Sequence, residues 1–313
     1  MAQSVFIDGA AGTTGLEIRD RLAGRSEFDL VLLDDADRKD AEKRRQALNE
    51  CDFAILCLPD VAAIEAAAMI DPGSPTRVID ASSAHRVADG WTYGFPEIVG
   101  EEAVASARRV SNPGCYPTGF VGLVAPLVAA GLLPRDWPFT CNAVSGYSGG
   151  GKALIERFEQ AGETIAFRAY GLDLDHKHRP EMQRYAGLDH GVLFAPAVVP
   201  AYRGMMVEVP LHLGAMASDP HADALRAALQ SHYEGSRVVT VNEAGVPDAG
   251  ELLMLEDDAA HDGLQLDVFG NAGGWNARLV ARLDNLGKGA SGAAVQNLNI
   301  MAGLDPTAGL RLR

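Results

Sequence analysis

Near the N-terminus a glycine-rich turn lies between a short apolar run and a helical pattern, and few architectures accept that arrangement. Val5-Phe6-Ile7 reads as a buried strand, and Gly9-Ala10-Ala11-Gly12-Thr13-Thr14-Gly15 follows it directly. Leu16 to Leu22 then spaces its apolar residues as a helix does. Glycines in such a turn let the backbone approach a pyrophosphate, and the helix N-terminus faces it. Gly9, Ala11, Gly12, Thr13, Thr14 and Gly15 are therefore candidate cofactor-binding residues. The spacing is GxxGxxG rather than GxGxxG, which also suits a plain turn between strand and helix.

The pattern then repeats. Phe28–Leu33, Asp52–Leu58 and Thr76–Asp80 read as strands, and Val61–Met69 as an alanine-rich helix. Strands alternating with helices predict an α/β fold with a doubly wound, mostly parallel sheet, a Rossmann-type domain. Ligands of such sheets bind at the C-terminal strand ends. Those ends carry the Gly9 loop, Leu58-Pro59 and Ser82 to Arg86. The second strand runs into Asp34-Asp35-Ala36-Asp37-Arg38-Lys39. An acid there suits the ribose hydroxyl of NAD and an arginine suits the 2′-phosphate of NADP, so this stretch leaves the choice open. A solvated charged loop fits it equally.

Cysteine chemistry enters at Ser111-Asn112-Pro113-Gly114-Cys115-Tyr116-Pro117. Pro113-Gly114 is strong turn chemistry, and Pro117 suits the first turn of a helix. The apolar run Phe120–Ala130 reads as that helix, with Pro126 as an interruption. A cysteine at a helix N-terminus meets unpaired N–H groups and the positive dipole end, which favour the thiolate. The plainer alternative is a buried cysteine in a turn. By position, Cys115 is expected to share one cleft with the cofactor loop.

Further along, Phe139–Val144 reads as a strand entering the glycine-rich loop Ser145 to Lys152, then a helix from Ala153 to Gln160. That loop resembles a phosphate cradle without P-loop spacing. Asp175-His176-Lys177-His178-Arg179-Pro180-Glu181 follows, where His178 and Glu181, three apart, could share a helix face. A solvated loop is the alternative; a metal held by His176 and His178 lacks an evident third ligand, so no metal is assigned. Gly191–Val199, Gly204–Leu213, Arg237–Val241, Leu264–Phe269 and Trp275–Leu283 read as strands without regular helical partners. They predict a second α+β domain on a mixed or antiparallel sheet, able to serve as a subunit contact. A closing helix from about Ser291 to Ala302 is expected to pack its small residues closely, against the first domain for instance.

The net charge of −15 argues against nucleic acid and anionic membranes as partners. No apolar run approaches the roughly 18 residues of a membrane span. The first residues enter a strand at once, so no signal peptide is expected. The four cysteines show neither metal-type nor dense disulfide spacing, which fits a reducing cytoplasm.

Taken in order, Gly9–Gly15, Tyr93-Gly94-Phe95-Pro96-Glu97, Asn112-Pro113-Gly114-Cys115, Ser145–Lys152, His176–Glu181, Arg203-Gly204 and Asn285–Asn297 resemble the N-acetyl-γ-glutamyl-phosphate reductases in their shorter form, over nearly the whole length. The resemblance to aspartate-semialdehyde dehydrogenases is weaker. It implies an NADP-binding Rossmann domain at 1–114, completed by a C-terminal helical segment at 285–313. It implies a catalytic, substrate-binding and oligomerisation domain at 115–284, a dimer or tetramer, and the NADPH-dependent step of arginine biosynthesis that makes N-acetylglutamate 5-semialdehyde.

With that chemistry, Cys115 is the expected nucleophile on an acyl phosphate. His178 is the first candidate acid–base group, with Glu181 orienting it, and His176 the second. Arg86, Asn112, Ser145, Lys152, Arg179 and Arg203 are candidates for holding the anionic substrate. Arg38, Leu58, Pro59, Ser82, Ser148, Gly149 and Asn285 join the candidate NADP(H) residues. The competing readings are an aspartate-semialdehyde dehydrogenase, a non-catalytic NADP-binding sensor and a thiol hydrolase. The sensor needs neither the cysteine nor the histidines, and the hydrolase leaves the Gly9 loop without a role.

Overall fold

The computed structural model describes residues 2–34, 36–160, 164–218, 220–256 and 258–312, with the side chain of Asp248 apart. In chain order the elements begin β1 (Gln3–Asp8), α1 (Thr13–Leu22), β2 (Phe28–Val31), α2 (Ala41–Glu50), β3 (Phe53–Leu56) and α3 (Asp60–Ala68). Next come β4 (Arg77–Asp80), β5 (Thr92–Tyr93), α4 (Pro96–Val99), α5 (Glu101–Ser106), β6 (Arg109–Ser111) and α6 (Cys115–Ala129). The chain continues with β7 (Thr140–Gly146), α7 (Gly151–Glu159), β8 (Arg168–Ala169), α8 (Arg179–Tyr185), β9 (Leu193–Val199) and β10 (Met205–Leu211). It closes with α9 (Ala222–His232), β11 (Val239–Val241), β12 (Leu264–Gly270), β13 (Ala277–Leu283) and α10 (Gly292–Met301). Two compact units result: Met1–Pro113 with Ala290–Leu310, and Gly114–Gly289 with Arg311–Arg313.

The first unit holds a six-stranded sheet of order β2-β1-β3-β4-β6-β5 in which every pairing is parallel. Parallel strands are covered on both faces, which is why β3 is apolar without a break. Strand alternation divides the core. Val5, Ile7, Ile55 and Ile79 pack with Ile18 and Leu22 of α1 and with Ala294, Val295 and Leu298 of α10. Phe6, Ala54, Leu56 and Val78 pack on the other face with Leu48 of α2 and Ala66 of α3. All ten residues of α10 are buried, and its small residues allow that close approach. The C-terminal edge of this sheet carries the Gly9 loop, Leu58-Pro59, Ser82–Arg86 and Asn112, one after each of β1, β3, β4 and β6.

The second unit holds a seven-stranded mixed sheet of order β11-β12-β13-β10-β7-β9-β8. Most neighbours are antiparallel, and β11·β12 and β7·β9 are parallel. Helices α6 and α9 pack on this sheet and on each other. Two expectations are corrected here. The strands do have helical company, since α9 buries Leu225 and Leu229, four residues apart on one face. Pro126 does not interrupt α6. A proline lacks the N–H that would bond Gly122 O, and the Tyr233 hydroxyl donates to that carbonyl instead, at 2.7 Å. No described helix is long and apolar enough to cross a membrane.

Candidate active site and cofactor loop

In the first unit, Gly9 adopts φ +88°, a conformation open to glycine, and a Cβ there would also meet the Cys57 carbonyl. Gly15 is fixed by space, because a Cβ would lie 2.5 Å from Gly9 O and 2.8 Å from Ala10 Cα. Gly12 is different. It caps α1 at φ −79°, and its Cβ would lie 3.3 Å from Gly9 O, with no closer neighbour. Gly9 and Gly15 thus shape the turn, while Gly12, Thr13 and Thr14 present the helix N-terminus. That terminus carries no acidic residue in its first turn.

Beside the loop lies a cavity of about 440 Å³ lined by Asp8, Gly9, Ala11, Leu58, Arg19, Arg38, Lys39 and Arg44, among others. The Asp34 carboxylate is engaged by its own turn. Its Oδ1 accepts the N–H groups of Ala36 and Asp37 at 3.0 and 2.9 Å. Asp35 lies outside the described residues. Arg19 and Arg44 were not anticipated; Arg44 reaches the cavity from α2 and pairs with Asp8 at 2.8 Å. The glycine cradle, the helix terminus and this cationic cavity fit a dinucleotide.

Also in the first unit, Asn112 is 1% exposed and works as a joint. Its Nδ2 donates to Ala290 O at 2.9 Å, and its Oδ1 accepts from Asn297 Nδ2 at 3.2 Å. The same Asn297 Nδ2 lies 2.9 Å from Gly94 O. Arg86 is buried and its Nε donates to Asn112 O at 3.0 Å. Ser82 donates its N–H and hydroxyl to the buried Asp80 carboxylate, at 2.9 and 2.7 Å. Pro59 precedes α3 as its cap.

In the second unit Cys115 is the first residue of α6, following Gly114 in extended conformation. The turn is fastened by Glu181 of α8: its Oε1, on a residue only 1% exposed, accepts the Gly114 N–H at 2.8 Å. From the other side comes the segment Gly287–Ser291, a π-helical turn. A Cβ on Gly289 would lie 2.9 Å from Cys115 Cβ and 3.3 Å from its Cα. Asp284 organises that segment by accepting the Leu286 N–H at 2.9 Å and pairing with Arg203 at 2.9 Å.

His176 and His178 meet with ring centroids 4.7 Å apart, and His176 Nδ1 accepts the His178 N–H at 3.2 Å. Both rings neighbour Tyr116, the residue after Cys115, at 6.4 and 5.8 Å. Tyr170 donates its hydroxyl to that of Tyr116 at 3.1 Å, and burial pushes the Tyr170 phenol up to about 12. The nucleophile turn, the two histidines and Glu181 are therefore gathered in one place. Among the described residues no group of three or more His, Cys, Asp or Glu side chains forms a metal-ligand cluster.

Ser145, Ser148, Gly149 and Asn285 also come together. Asn285 Nδ2 donates to Ser148 Oγ at 2.9 Å, and a Cβ on Gly149 would sit 3.3 Å from both Asn285 Nδ2 and Ser145 Oγ. Lys152 is exposed in the first turn of α7. Arg179 departs from its expected role. Its Nε bonds Val192 O at 3.0 Å and its Nη1 bonds Leu174 O, so it braces the loop before α8. The other thiols are unlike Cys115 in setting. Burial raises Cys51 to about 11 and Cys57 to about 12, and raises Cys141 further.

Two family models match the chain: "Semialdehyde dehydrogenase, NAD binding domain" over residues 4–107 and "Semialdehyde dehydrogenase, dimerisation domain" over residues 115–285. The fold agrees: aspartate semialdehyde dehydrogenase II from Vibrio cholerae superposes with a TM-score of 0.71 at 18% identity, covering 97% of this chain and 99% of that one. The enzyme from Francisella tularensis gives 0.71 at 12% identity, covering 96% and 100%. Fold and domains define the semialdehyde dehydrogenase class, with a nicotinamide-cofactor domain in the first unit. The N-acetyl-gamma-glutamyl-phosphate reductase of Rhizobium etli is 49% identical over 307 residues, 96% of this chain and 99% of that protein. Its counterpart in Burkholderia ambifaria is 51% identical over 306 residues, 96% of each. The chain belongs to the N-acetyl-gamma-glutamyl-phosphate reductase family.

Proposed function

We propose that this chain reduces N-acetyl-γ-glutamyl phosphate to N-acetylglutamate 5-semialdehyde, releasing phosphate, through a thioester on Cys115. The observation that carries the mechanism is Cys115 at the start of a 15-residue helix, its turn held by Glu181 beside the His176–His178 pair. The Cys115 thiolate attacks the acyl carbon, the carbon–oxygen bond to phosphate breaks, and phosphate leaves with the electron pair. When bound, the nicotinamide cofactor supplies a hydride. The thioester carbon accepts it, the tetrahedral oxyanion collapses, the carbon–sulfur bond breaks and the thiolate returns. N–H groups at the start of α6 face the oxyanion. His178, or His176 beside it, protonates and deprotonates oxygen near neutral pH. Arg86, Arg203 and Lys152 hold substrate charge; Arg179 is committed to backbone carbonyls.

NADP(H) is the proposed cofactor. Support comes from Arg38 and Lys39 lining the cavity with Arg19 and Arg44, and from an Asp34 carboxylate engaged by its own turn. An arginine meets a 2′-phosphate with paired hydrogen bonds. The protein is proposed to act in the cytoplasm as a homo-oligomer, dimer or tetramer; the dimerisation model over residues 115–285 supports the self-association. The test follows nicotinamide absorbance in reverse, with N-acetylglutamate semialdehyde, phosphate and NADP. Turnover with this aldehyde and not with aspartate semialdehyde is expected, and the opposite preference refutes the substrate. Replacing NADP by NAD in the same cuvette reads the cofactor.

A further inference from the structure

The loop after β4 is tied down more firmly than a surface connection needs. Asp80, at the end of the strand, has no exposed surface, and burial of a carboxylate is costly unless it is hydrogen-bonded. Three donors meet it: Ser82 N at 2.9 Å, Ser82 Oγ at 2.7 Å and His85 Nδ1 at 2.6 Å. The carboxylate accepts, so Nδ1 carries the proton. The His85 ring lies flat on Trp91, centroids 4.1 Å apart and planes 15° from parallel. A second carboxylate, Asp60, holds Ser83 by its N–H at 2.9 Å and its hydroxyl at 2.6 Å. The residue after His85 is Arg86, whose Nε bonds Asn112 O, three positions before Cys115 in the chain.

A buried pair such as Asp80–His85 adds little stability over well-packed apolar residues, so stability alone does not account for it. Its specific effect is directional. A ring fixed in plane by Trp91 and in rotation by Asp80 fixes the backbone at the next residue, and a planar guanidinium binds an anion in paired fashion only when its orientation is set. We propose that Asp80 and His85 form a positioning dyad that aims Arg86 at the phosphoryl group of the substrate. This rests on the reading of Arg86 as a substrate clamp.

The experiment measures the reverse reaction with inorganic phosphate varied. Arg86→Ala reads the clamp, and His85→Phe reads the dyad by keeping a ring on Trp91 while deleting the donor to Asp80. His85→Phe is expected to raise the KM for phosphate about tenfold or more, the size of one lost charge-assisted bond. Its kcat, its Kd for NADP and its melting temperature should stay near wild type, and His85→Asn, with an amide N–H near the Nδ1 position, should restore most of the KM. If Arg86→Ala raises the phosphate KM and His85→Phe does not, the dyad is overturned and the clamp stands. If Arg86→Ala leaves it unchanged, the clamp falls and the dyad with it. A His85→Phe protein that loses kcat, cofactor binding and thermal stability together, unrescued by asparagine, marks the pair as structural and overturns the proposal.

Discussion

Glu181→Ala should damage chemistry more than it damages the fold. Glu181 is 1% exposed and its Oε1 takes the Gly114 N–H at 2.8 Å, one residue before Cys115. A hydrogen bond to a charged group is worth about 1.5–3 kcal/mol, and alanine also leaves a buried N–H without its acceptor. If the whole of that loss falls on the placement of Cys115, kcat drops roughly ten- to 150-fold. The same loss in stability lowers the melting temperature by about 3–12 °C, at some 2–4 °C per kcal/mol for a chain of this order. Steady-state reduction, a thermal melt and far-UV circular dichroism measure the three quantities. Glu181→Gln separates the causes: its carbonyl can still accept from Gly114, so a kcat near wild type means the side chain serves as a strut. A kcat as low as that of alanine means the negative charge acts on the histidines. Wild-type kcat in the alanine variant refutes the reasoning.

Gly289→Ala should lower kcat and leave cofactor binding unchanged, because its Cβ would press within 2.9 Å of Cys115 Cβ; equal loss of both would point to global damage. Gly12→Ala and Gly15→Ala form a matched pair, read by melting temperature and NADPH KM. The first should raise the KM with a small change in melting, and the second should lower the melting point, since only its Cβ meets Gly9 O at 2.5 Å. Iodoacetamide at pH 8 should label Cys115 first, since Cys51 and Cys57 titrate only near 11 and 12; labelling of either ahead of Cys115 contradicts that ordering. The same two thiols are raised from 9.0 on folding, so the stability they contribute is intact below pH 9 and lost as pH climbs toward 11–12; urea midpoints across that range check the sign.

Much of the first unit was legible because parallel strands announce themselves as unbroken apolar runs. Phe53–Leu56 and Arg77–Asp80 fell inside the expected segments. Helix α2 escaped because it buries a single residue, Leu48, and its charged face gives no apolar period. Its start was written in Asp40, whose carboxylate caps Glu42 and Lys43. Helix α9 did carry a signal, Leu225 and Leu229 four apart, that the surrounding strand pattern obscured. The Cys115 turn and the histidine motif were readable from local chemistry. Their partners were not, since Gly289 reaches Cys115 across a long sequence separation. Arg19, Arg44 and the Asp80–His85 pair likewise depend on which strand ends the topology makes adjacent. Pro126 misled because a helix tolerates proline when another donor, here Tyr233, takes the vacated carbonyl.

The mechanism stands or falls on a covalent bond at Cys115. Mixing the protein with N-acetyl-γ-glutamyl phosphate in the absence of nicotinamide cofactor, quenching in acid and mapping peptides by mass spectrometry looks for it directly. The predicted result is an acyl group on the peptide containing Cys115, absent from Cys51, Cys57 and Cys141, and discharged as aldehyde when NADPH is added. An unmodified Cys115 in protein that turns over normally, or full activity in Cys115→Ala, contradicts the mechanism.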